Sequence, residues 1–158
     1  MRKFTLHYLL TLLILFNLFY WEASPLANLI NTLQIDLTSY LTSFTLSDEI
    51  MQENKIWINP TLRLVINQAC NGFIPYFFFL ASVIAFPTHI VHKLKWAILG
   101  YVILSLLNVF RIWFISQLVM LEESHFALAH DVLGNLFLLI GGLGLFIGFV
   151  KTSLLDTK

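Results

Sequence analysis

Long runs of apolar residues, separated by short polar segments, occupy most of this chain. Four of the runs have about the 20 residues that a helix needs to cross a bilayer. They cover residues 4–21, 73–91, 96–119 and 126–150. The pattern predicts an all-α integral membrane protein with about four transmembrane helices, in a single membrane domain that spans residues 1–158.

The first run also resembles the start of a secretory signal peptide, because Arg2 and Lys3 precede it. A signal peptide usually has a shorter apolar run that ends in a small-residue cleavage site. Here the run ends in Tyr20-Trp21-Glu22, and aromatic residues of this kind anchor helices at the membrane surface. A retained helix is therefore favoured.

The loop at residues 22–72 begins with a helix signature. Ser24 is a typical N-cap, and Pro25 suits the first helical position. Apolar residues then recur at helical spacing, with Asn, Thr, Ser and Asp opposite them: Leu26, Leu29, Ile30, Leu33, Leu37, Leu41 and Phe44. This predicts an amphipathic helix that lies either on the outer leaflet or on the bundle.

Two short apolar segments follow the amphipathic helix. Residues 55–58 and 62–66 flank Asn59-Pro60, a dipeptide typical of turns. They predict a short extracytoplasmic β-hairpin that leads the chain to Cys70. Near the other end of the chain, four glycines predict a close-packing face between helices: Gly141, Gly142, Gly144 and Gly148.

Composition supports the membrane assignment. Hydrophobic residues make up 58% of the chain and charged residues 11%, whereas soluble domains are about 45 to 50% apolar and about 25% charged. Nine basic residues balance nine acidic residues, which excludes a nucleic-acid binder with a broad basic surface. The single cysteine, Cys70, excludes an intramolecular disulfide.

The positions of the charges predict the orientation in the membrane. Six of the nine basic residues fall on one side: Arg2, Lys3, Lys93, Lys95, Lys151 and Lys158. Eight of the nine acidic residues fall at or within the loops on the other side. Because short cytoplasmic loops are rich in Lys and Arg, both termini are expected in the cytoplasm, and residues 22–72 outside the cytoplasmic (inner) membrane.

Three reactive or costly groups are expected at one depth near the outer surface. Cys70 precedes the second run, and His130 lies about one turn inside the fourth. Arg111 lies within the third run, and because an arginine there costs about 2.5 to 3.5 kcal/mol, it should face the protein interior or water. These groups suffice for acyl transfer, with the thiol as nucleophile, the imidazole as acid–base group and the guanidinium as stabiliser of negative charge.

The residues around these three groups resemble three sequence signatures of one family. They are Ala69-Cys70-Asn71-Gly72, then Asn108-Val109-Phe110-Arg111-Ile112, and then His130 followed by Gly134. In order, spacing and common side of the membrane they are similar to the exosortase and archaeosortase membrane transpeptidases. The resemblance covers about residues 67–150, and Ala85-Phe86-Pro87 suits short members such as exosortase H.

The resemblance implies a cysteine transpeptidase with Cys70 as nucleophile, Arg111 as electrostatic partner and His130 as acid or base. Asn71, Gly72, Asn108 and Gly134 are then supporting or substrate-binding residues. The implied partners are secreted proteins with a C-terminal motif, a transmembrane helix and a basic tail, and no cofactor is implied. Larger members have about eight spans rather than four, so the subgroup and the substrate motif stay open. The acceptor also stays open among water, a lipid and a glycan.

Other interpretations of the same residues remain. A non-enzymatic scaffold or assembly subunit would leave Cys70 inert and pair Arg111 with a partner, and a channel or transporter subunit is a third, less favoured class. His125 is a rival base on another helix face. A metal cluster of Glu122, His125, His130 and Asp131 is less favoured than a solvated face, because no HExxH is present. GxSxG and GxGD are also absent, which argues against serine and aspartyl intramembrane proteases.

Overall fold

The computed structural model describes residues 2–21 and 24–155. Glu22 and Lys158, which the anchor and charge arguments used, lie outside the described residues. Five α-helices are formed by Arg2–Phe19 (α1), Pro25–Ser43 (α2), Phe73–Ala85 (α3), Ile90–Leu121 (α4) and Asn135–Leu155 (α5). Three short strands, Met51–Gln52 (β1), Lys55–Trp57 (β2) and Arg63–Val65 (β3), lie between α2 and α3.

Two helices in the described part of the chain are long and apolar enough to cross a membrane. They are α4, with 32 residues, and the continuous helical stretch Glu123–Ser153, with 31 residues. The helices near residues 4–21 and 73–91 are shorter, so the structure does not confirm the predicted count of four spans. At about 1.5 Å per residue, the 13 residues of α3 reach about 20 Å, less than the hydrocarbon core of about 30 Å.

The predicted run at residues 73–91 is interrupted by a proline. Phe86 has an extended backbone, with φ −72° and ψ 134°, because the residue before a proline is disfavoured in the helical region. Pro87 thus ends α3 at Ala85, and the next helix begins at Ile90 rather than at the predicted Trp96. Residues 90–91, which were assigned to the second span, belong instead to the first turn of α4.

Helix α2 forms where the sequence predicts it, and the Ser24 Oγ accepts a hydrogen bond from the Ala27 N–H at 3.3 Å. Its polar face is the one that packs on the protein, and it buries Asn31, Gln34, Thr38, Ser39 and Thr42. Its apolar face is exposed: Leu26, Leu29, Leu33, Leu37, Tyr40 and Phe44. A buried polar face and an exposed apolar face suit a helix that is surrounded by lipid rather than by water.

The predicted hairpin is confirmed and has one strand more than expected. β2 and β3 are antiparallel, with Ile56 opposite Leu64, and β1 pairs with the other edge of β2. Ile56 is buried and belongs to one apolar cluster with Ile112 of α4. The sheet is therefore fixed on the helix that carries Arg111.

The bundle is formed by α1 and α5 on either side of α3, with α4 packed on both α3 and α5. Phe73 and Phe77 of α3 pack with Leu15 of α1 in one cluster. A second cluster joins α3, α4 and α5 through Phe79, Val83, Leu104 and Phe149. Helices α3, α4 and α5 are thereby held together by one apolar cluster.

The predicted glycine packing face holds for only part of α5. A Cβ on Gly141 would lie 2.6 Å from Leu107, and one on Gly148 would lie 2.9 Å from Trp96, so these two glycines let α5 approach α4 closely. A Cβ on Gly142 or Gly144 would meet nothing within 4 Å. The close approach is therefore confined to Gly141 and Gly148, which lie seven residues apart on one face of the helix.

Candidate active site

Cys70 is the last residue of a 3₁₀ turn, Gln68–Cys70, that the sequence caps on both sides. The Asn67 side chain accepts from the Ala69 N–H at 3.1 Å. After the turn, Gly72 has φ +85°, a left-handed conformation that glycine adopts without strain. The chain then begins α3 with the Asn71 Oδ1 accepting from the Phe73 N–H at 3.0 Å. The thiol is thus held at the point where the segment that carries the strands joins the helix bundle.

His130, which lies in the segment between α4 and α5, faces the thiol. Its Nε2 lies 3.4 Å from the Cys70 Sγ, and its Nδ1 lies 2.8 Å from Asp131 Oδ1. The Phe126 ring stacks on the imidazole with a centroid separation of 5.2 Å. His130 and Asp131 lie in a π-helical segment, Leu128–Gly134. This type of helix is rare, and it is frequent at functional sites.

Arg111 is buried in the protein interior, with 4% of its surface exposed, as predicted for an arginine within a span. Its Nη1 donates to Asn108 Oδ1 and its Nη2 to Asn135 Oδ1, both at 3.4 Å. Among the described residues it forms no ion pair with a carboxylate. The guanidinium is therefore held by two amide oxygens, and no anion in contact neutralises its charge.

Asn108 connects the arginine to the thiol segment. It is fully buried, and its Nδ2 donates to the Cys70 carbonyl at 2.8 Å while its Oδ1 accepts from Arg111. The Asn108 side chain therefore links the Cys70 carbonyl to the Arg111 guanidinium. Because both partners lie within the protein, replacing Asn108 by an apolar residue would leave two polar groups unpaired.

Two glycines leave room for this arrangement. A Cβ on Gly134 would lie 2.5 Å from the Arg111 Nε, and a Cβ on Gly72 would lie 3.2 Å from three atoms of Asn108. The Nε of Arg111 is buried against Gly134 and has no hydrogen-bond partner within the described ranges. Because they have no side chain, Gly134 leaves space for Arg111 and Gly72 leaves space for Asn108.

Burial raises the pKa of the Cys70 thiol, because the low-dielectric surroundings disfavour the thiolate. The positive charge of Arg111 acts in the opposite direction, as does a hydrogen bond with the Asn67 backbone. The arginine is thus placed so that it favours the charged form of the nucleophile, although burial remains the larger effect.

Two cavities meet at the arginine. The larger, of about 620 Å³, is mostly apolar and lies between α1, α3 and α5, with Phe78, Leu139 and Gly142 in its wall. The smaller, of about 340 Å³, lies between the sheet and α4 and contains Cys70 and His130. Ala69 and Arg111 line both cavities. These two residues therefore form a wall that the two cavities share.

The structure brings together six of the seven residues that the signatures single out: Cys70, Gly72, Asn108, Arg111, His130 and Gly134. Asn71 points elsewhere. Its Nδ2 donates to Asn31 Oδ1 at 2.8 Å and its carbonyl accepts from Gln34 Nε2 at 3.0 Å, so it ties α2 to the thiol segment.

The rival base is paired with another group. His125 Nε2 lies 3.5 Å from Glu122 Oε2, while His130 contacts Asp131, so the four residues of the less favoured metal cluster form two separate pairs. Only His130 lines the cavity that contains Cys70.

Two residues of the site lie outside the three sequence signatures. They are Asp131, which the sequence suggests only as a member of the less favoured metal cluster, and Asn135. Asn135 Nδ2 donates to the Asp131 carbonyl at 3.0 Å, and its Oδ1 accepts from Arg111. The sequence signal for both is their polarity within an apolar run, since polar groups there are costly unless they have partners.

Comparison with known proteins gives one match. The family model described as transmembrane exosortase matches residues 2–147, which is most of the chain. The match includes every residue of the site, and a family of this kind indicates a membrane transpeptidase-type function in general. Neither the curated proteins nor the solved structures contain a match to the chain. Because the family model covers nearly the whole sequence, the chain belongs to the transmembrane exosortase family.

Proposed function

We propose that the protein is a membrane cysteine transpeptidase or peptidase that cleaves a C-terminal sorting signal from secreted proteins at the outer face of the cytoplasmic membrane. The observation that carries the proposal is the 3.4 Å contact between Cys70 Sγ and His130 Nε2, beside an arginine that no carboxylate in the described residues neutralises. Thiol, base and cation come from three distant segments, as the residues of a composite active site commonly do.

The first half-reaction follows from these positions. The Sγ–H proton passes to His130 Nε2, and the thiolate attacks a carbonyl carbon of the substrate. The tetrahedral intermediate collapses to a thioester on Cys70, and the leaving amine takes the proton from His130. An acceptor nucleophile then attacks the thioester carbonyl and gives its own proton to His130 Nε2. The C–S bond breaks, the secreted protein is released on the acceptor, and the Cys70 sulfur takes that proton from His130.

Arg111 is the group that would stabilise the negative charge. A guanidinium has five N–H donors, and its hydrogen bonds to Asn108 and Asn135 use two of them at a long 3.4 Å. Its positive charge also favours the thiolate. At a buried position such a cation acts more strongly than at a surface, because the low dielectric screens it less.

The two cavities suit the two parts of a sorting signal. The apolar cavity between α1, α3 and α5 matches a membrane-embedded helix, and the smaller cavity at the sheet matches the short segment that precedes such a helix. The bond between the two parts would then lie at Arg111 and Cys70. Secreted proteins with a C-terminal motif, an apolar helix and a basic tail are the partners that this arrangement fits.

The charge pattern supports a site that faces outward, with both termini in the cytoplasm. A membrane-impermeant thiol reagent tests this orientation in sealed cells that carry a Cys70→Ala background. Cysteines introduced at Lys93 or Lys151 should be protected, whereas one introduced at Thr61 in the outer hairpin should react. Labelling of Lys93→Cys from outside would overturn the orientation.

The function is tested by pulse-chase of a secreted reporter from the same genome that carries a motif, an apolar helix and a basic tail. Wild-type enzyme should release the tail, and Cys70→Ala should not, at equal enzyme levels. His130→Ala should also be inactive, while His125→Ala, the matched imidazole outside the cavity, should retain activity. Normal tail release by Cys70→Ala would reject the thiol mechanism and leave the non-enzymatic scaffold.

A further inference from the structure

Asp131 contacts the edge of the His130 ring that points away from the thiol. Its Oδ1 lies 2.8 Å from Nδ1, while Nε2 lies 3.4 Å from the Cys70 Sγ. An ionised carboxylate only accepts hydrogen bonds, so Nδ1 must carry the proton in this contact. In a neutral imidazole the other nitrogen is then an acceptor. Nε2 is therefore left free to take the thiol proton.

We propose that Asp131 is a positioning residue of the reaction, which completes a Cys70–His130–Asp131 arrangement. The inference rests on the proposed function and adds a residue that the three family signatures do not include. Asp131 fixes the tautomer and the orientation of His130, and it stabilises the imidazolium that forms when the Sγ proton reaches Nε2. Nδ1 keeps its proton throughout, and the carboxylate stays ionised.

The local helix geometry allows two successive residues to make this contact. Side chains at i and i+1 of an α-helix do not face each other. Here both residues lie in the π-helical segment Leu128–Gly134, whose wider turn places successive side chains closer together around the axis. The Phe126 ring stacks on the imidazole, so the ring is confined by an aromatic face and a carboxylate together.

The ionisable side chains around His130 lie on different sides of the ring. Arg63 of β3, Arg111 of α4 and Cys70 line the same cavity as His130. Asp131 is the acidic side chain that the described residues place in contact with the imidazole, at Nδ1. The carboxylate and the thiol therefore lie at opposite nitrogens of one ring.

Asp131 is also tied to the group that holds the arginine. Its carbonyl accepts from Asn135 Nδ2 at 3.0 Å, and Asn135 Oδ1 accepts from Arg111. The same short stretch of chain therefore orients the base through one side chain and the cation through another.

The test compares Asp131→Asn and Asp131→Glu with Glu122→Gln in proteoliposomes, with the secreted reporter as substrate. Glu122 is the matched control, because it pairs with His125 in a second carboxylate–imidazole contact outside the thiol cavity. Asp131→Asn should lower kcat by about 10-fold to 100-fold, the range found when a partner that orients a metal-bound histidine is removed. KM should stay within about twofold, Asp131→Glu should recover part of the rate, and Glu122→Gln should match wild type.

The Asp131 side chain is 68% exposed, so Asp131→Asn should fold normally, which circular dichroism of the purified protein checks. Wild-type kcat in Asp131→Asn would overturn the inference. A rise in KM with unchanged kcat, or equal losses in Asp131→Asn and Asp131→Glu, would overturn it as well, since these outcomes indicate a binding or purely structural role. Cys70→Ala separates the two hypotheses: its inactivity beside a fully active Asp131→Asn rejects the positioning role alone, and its full activity rejects the proposed function.

Discussion

Replacing Gly134 with alanine is expected to displace Arg111 without removing it. The added Cβ would lie 2.5 Å from the Arg111 Nε, whereas ordinary contacts of a Cβ lie at 3.4–4 Å. The guanidinium must therefore move by about 1 Å, a misplacement that can reduce an enzymatic rate by about 100-fold. Its bonds to Asn108 and Asn135 are already 3.4 Å long, so this shift should break at least one of them.

Gly144→Ala is the matched control for this experiment. Gly144 lies further along the same helical stretch, and a Cβ there would meet nothing within 4 Å. Both substitutions remove a glycine from a helix, which by itself favours the helix by about 0.5 to 1 kcal/mol. Any difference between the two variants therefore reports on Arg111 rather than on helix formation.

The assay is pulse-chase of tail release from the secreted reporter, normalised to the enzyme level by immunoblot. Gly134→Ala should be about 100-fold slower than wild type, and Gly144→Ala should equal it. Activity of Gly134→Ala within about threefold of wild type would refute the reasoning, because it would show that the position of the guanidinium does not limit the rate. Loss of the Gly134→Ala protein from the membrane would instead assign Arg111 a structural role.

Three further predictions concern the same side chains. Arg111→Lys and Arg111→Ala should both slow tail release by about 100-fold to 1000-fold, the usual cost of one lost oxyanion donor, with membrane insertion retained; substantial activity of Arg111→Lys would show that charge alone suffices. Asn108→Ala leaves the Cys70 carbonyl and Arg111 without their partner and should destabilise the purified protein by about 1 to 3 kcal/mol per unpaired group, which thermal unfolding in detergent measures. Because burial raises the pKa of the Cys70 thiol, the rate of its alkylation should rise with pH through a midpoint above the ordinary thiol pKa. Arg111→Gln removes the cation that lowers this pKa, so it should move the midpoint to still higher pH; an unchanged midpoint would show that the arginine does not act on the thiol.

Local signals were sufficient to predict several elements of the fold. The Ser24 cap and Pro25 define the start of α2, and Asn59-Pro60 lies at the turn between β2 and β3, because caps and turns depend on the few residues that form them. The apolar runs predict helices but not their exact extents. Pro87 divides the second run after Ala85, and the helical segment that remains is too short to span on its own.

The orientation of α2 depends on contacts that no local pattern contains. Its periodicity shows two faces, yet which face packs on the protein is decided by Asn71, whose amide and carbonyl bind Asn31 and Gln34 across 40 and 37 positions of sequence. In water an apolar face would turn inward, whereas in lipid the polar face does, since polar groups must find partners within the protein. The sequence alone left this choice open.

The site shows the same division between local and distant information. The signatures predict that Cys70, Arg111 and His130 meet, and the structure places them around one cavity. The contacts of Asp131 and Asn135 depend on the π-helical segment at Leu128–Gly134, and its widened turn has no signature in the apolar pattern. The contacts of these two residues could therefore not be predicted from the sequence alone.

The most direct test of a thioester on Cys70 is its isolation. Membranes with wild-type enzyme and the secreted reporter are quenched with acid at short times, and the fragment that contains Cys70 is analysed by mass spectrometry. The account predicts that the body of the reporter, without its tail, is attached to Cys70 by a bond that hydroxylamine cleaves, and that no such adduct forms in Cys70→Ala. Tail release by Cys70→Ala, or an adduct on any other residue, would contradict it.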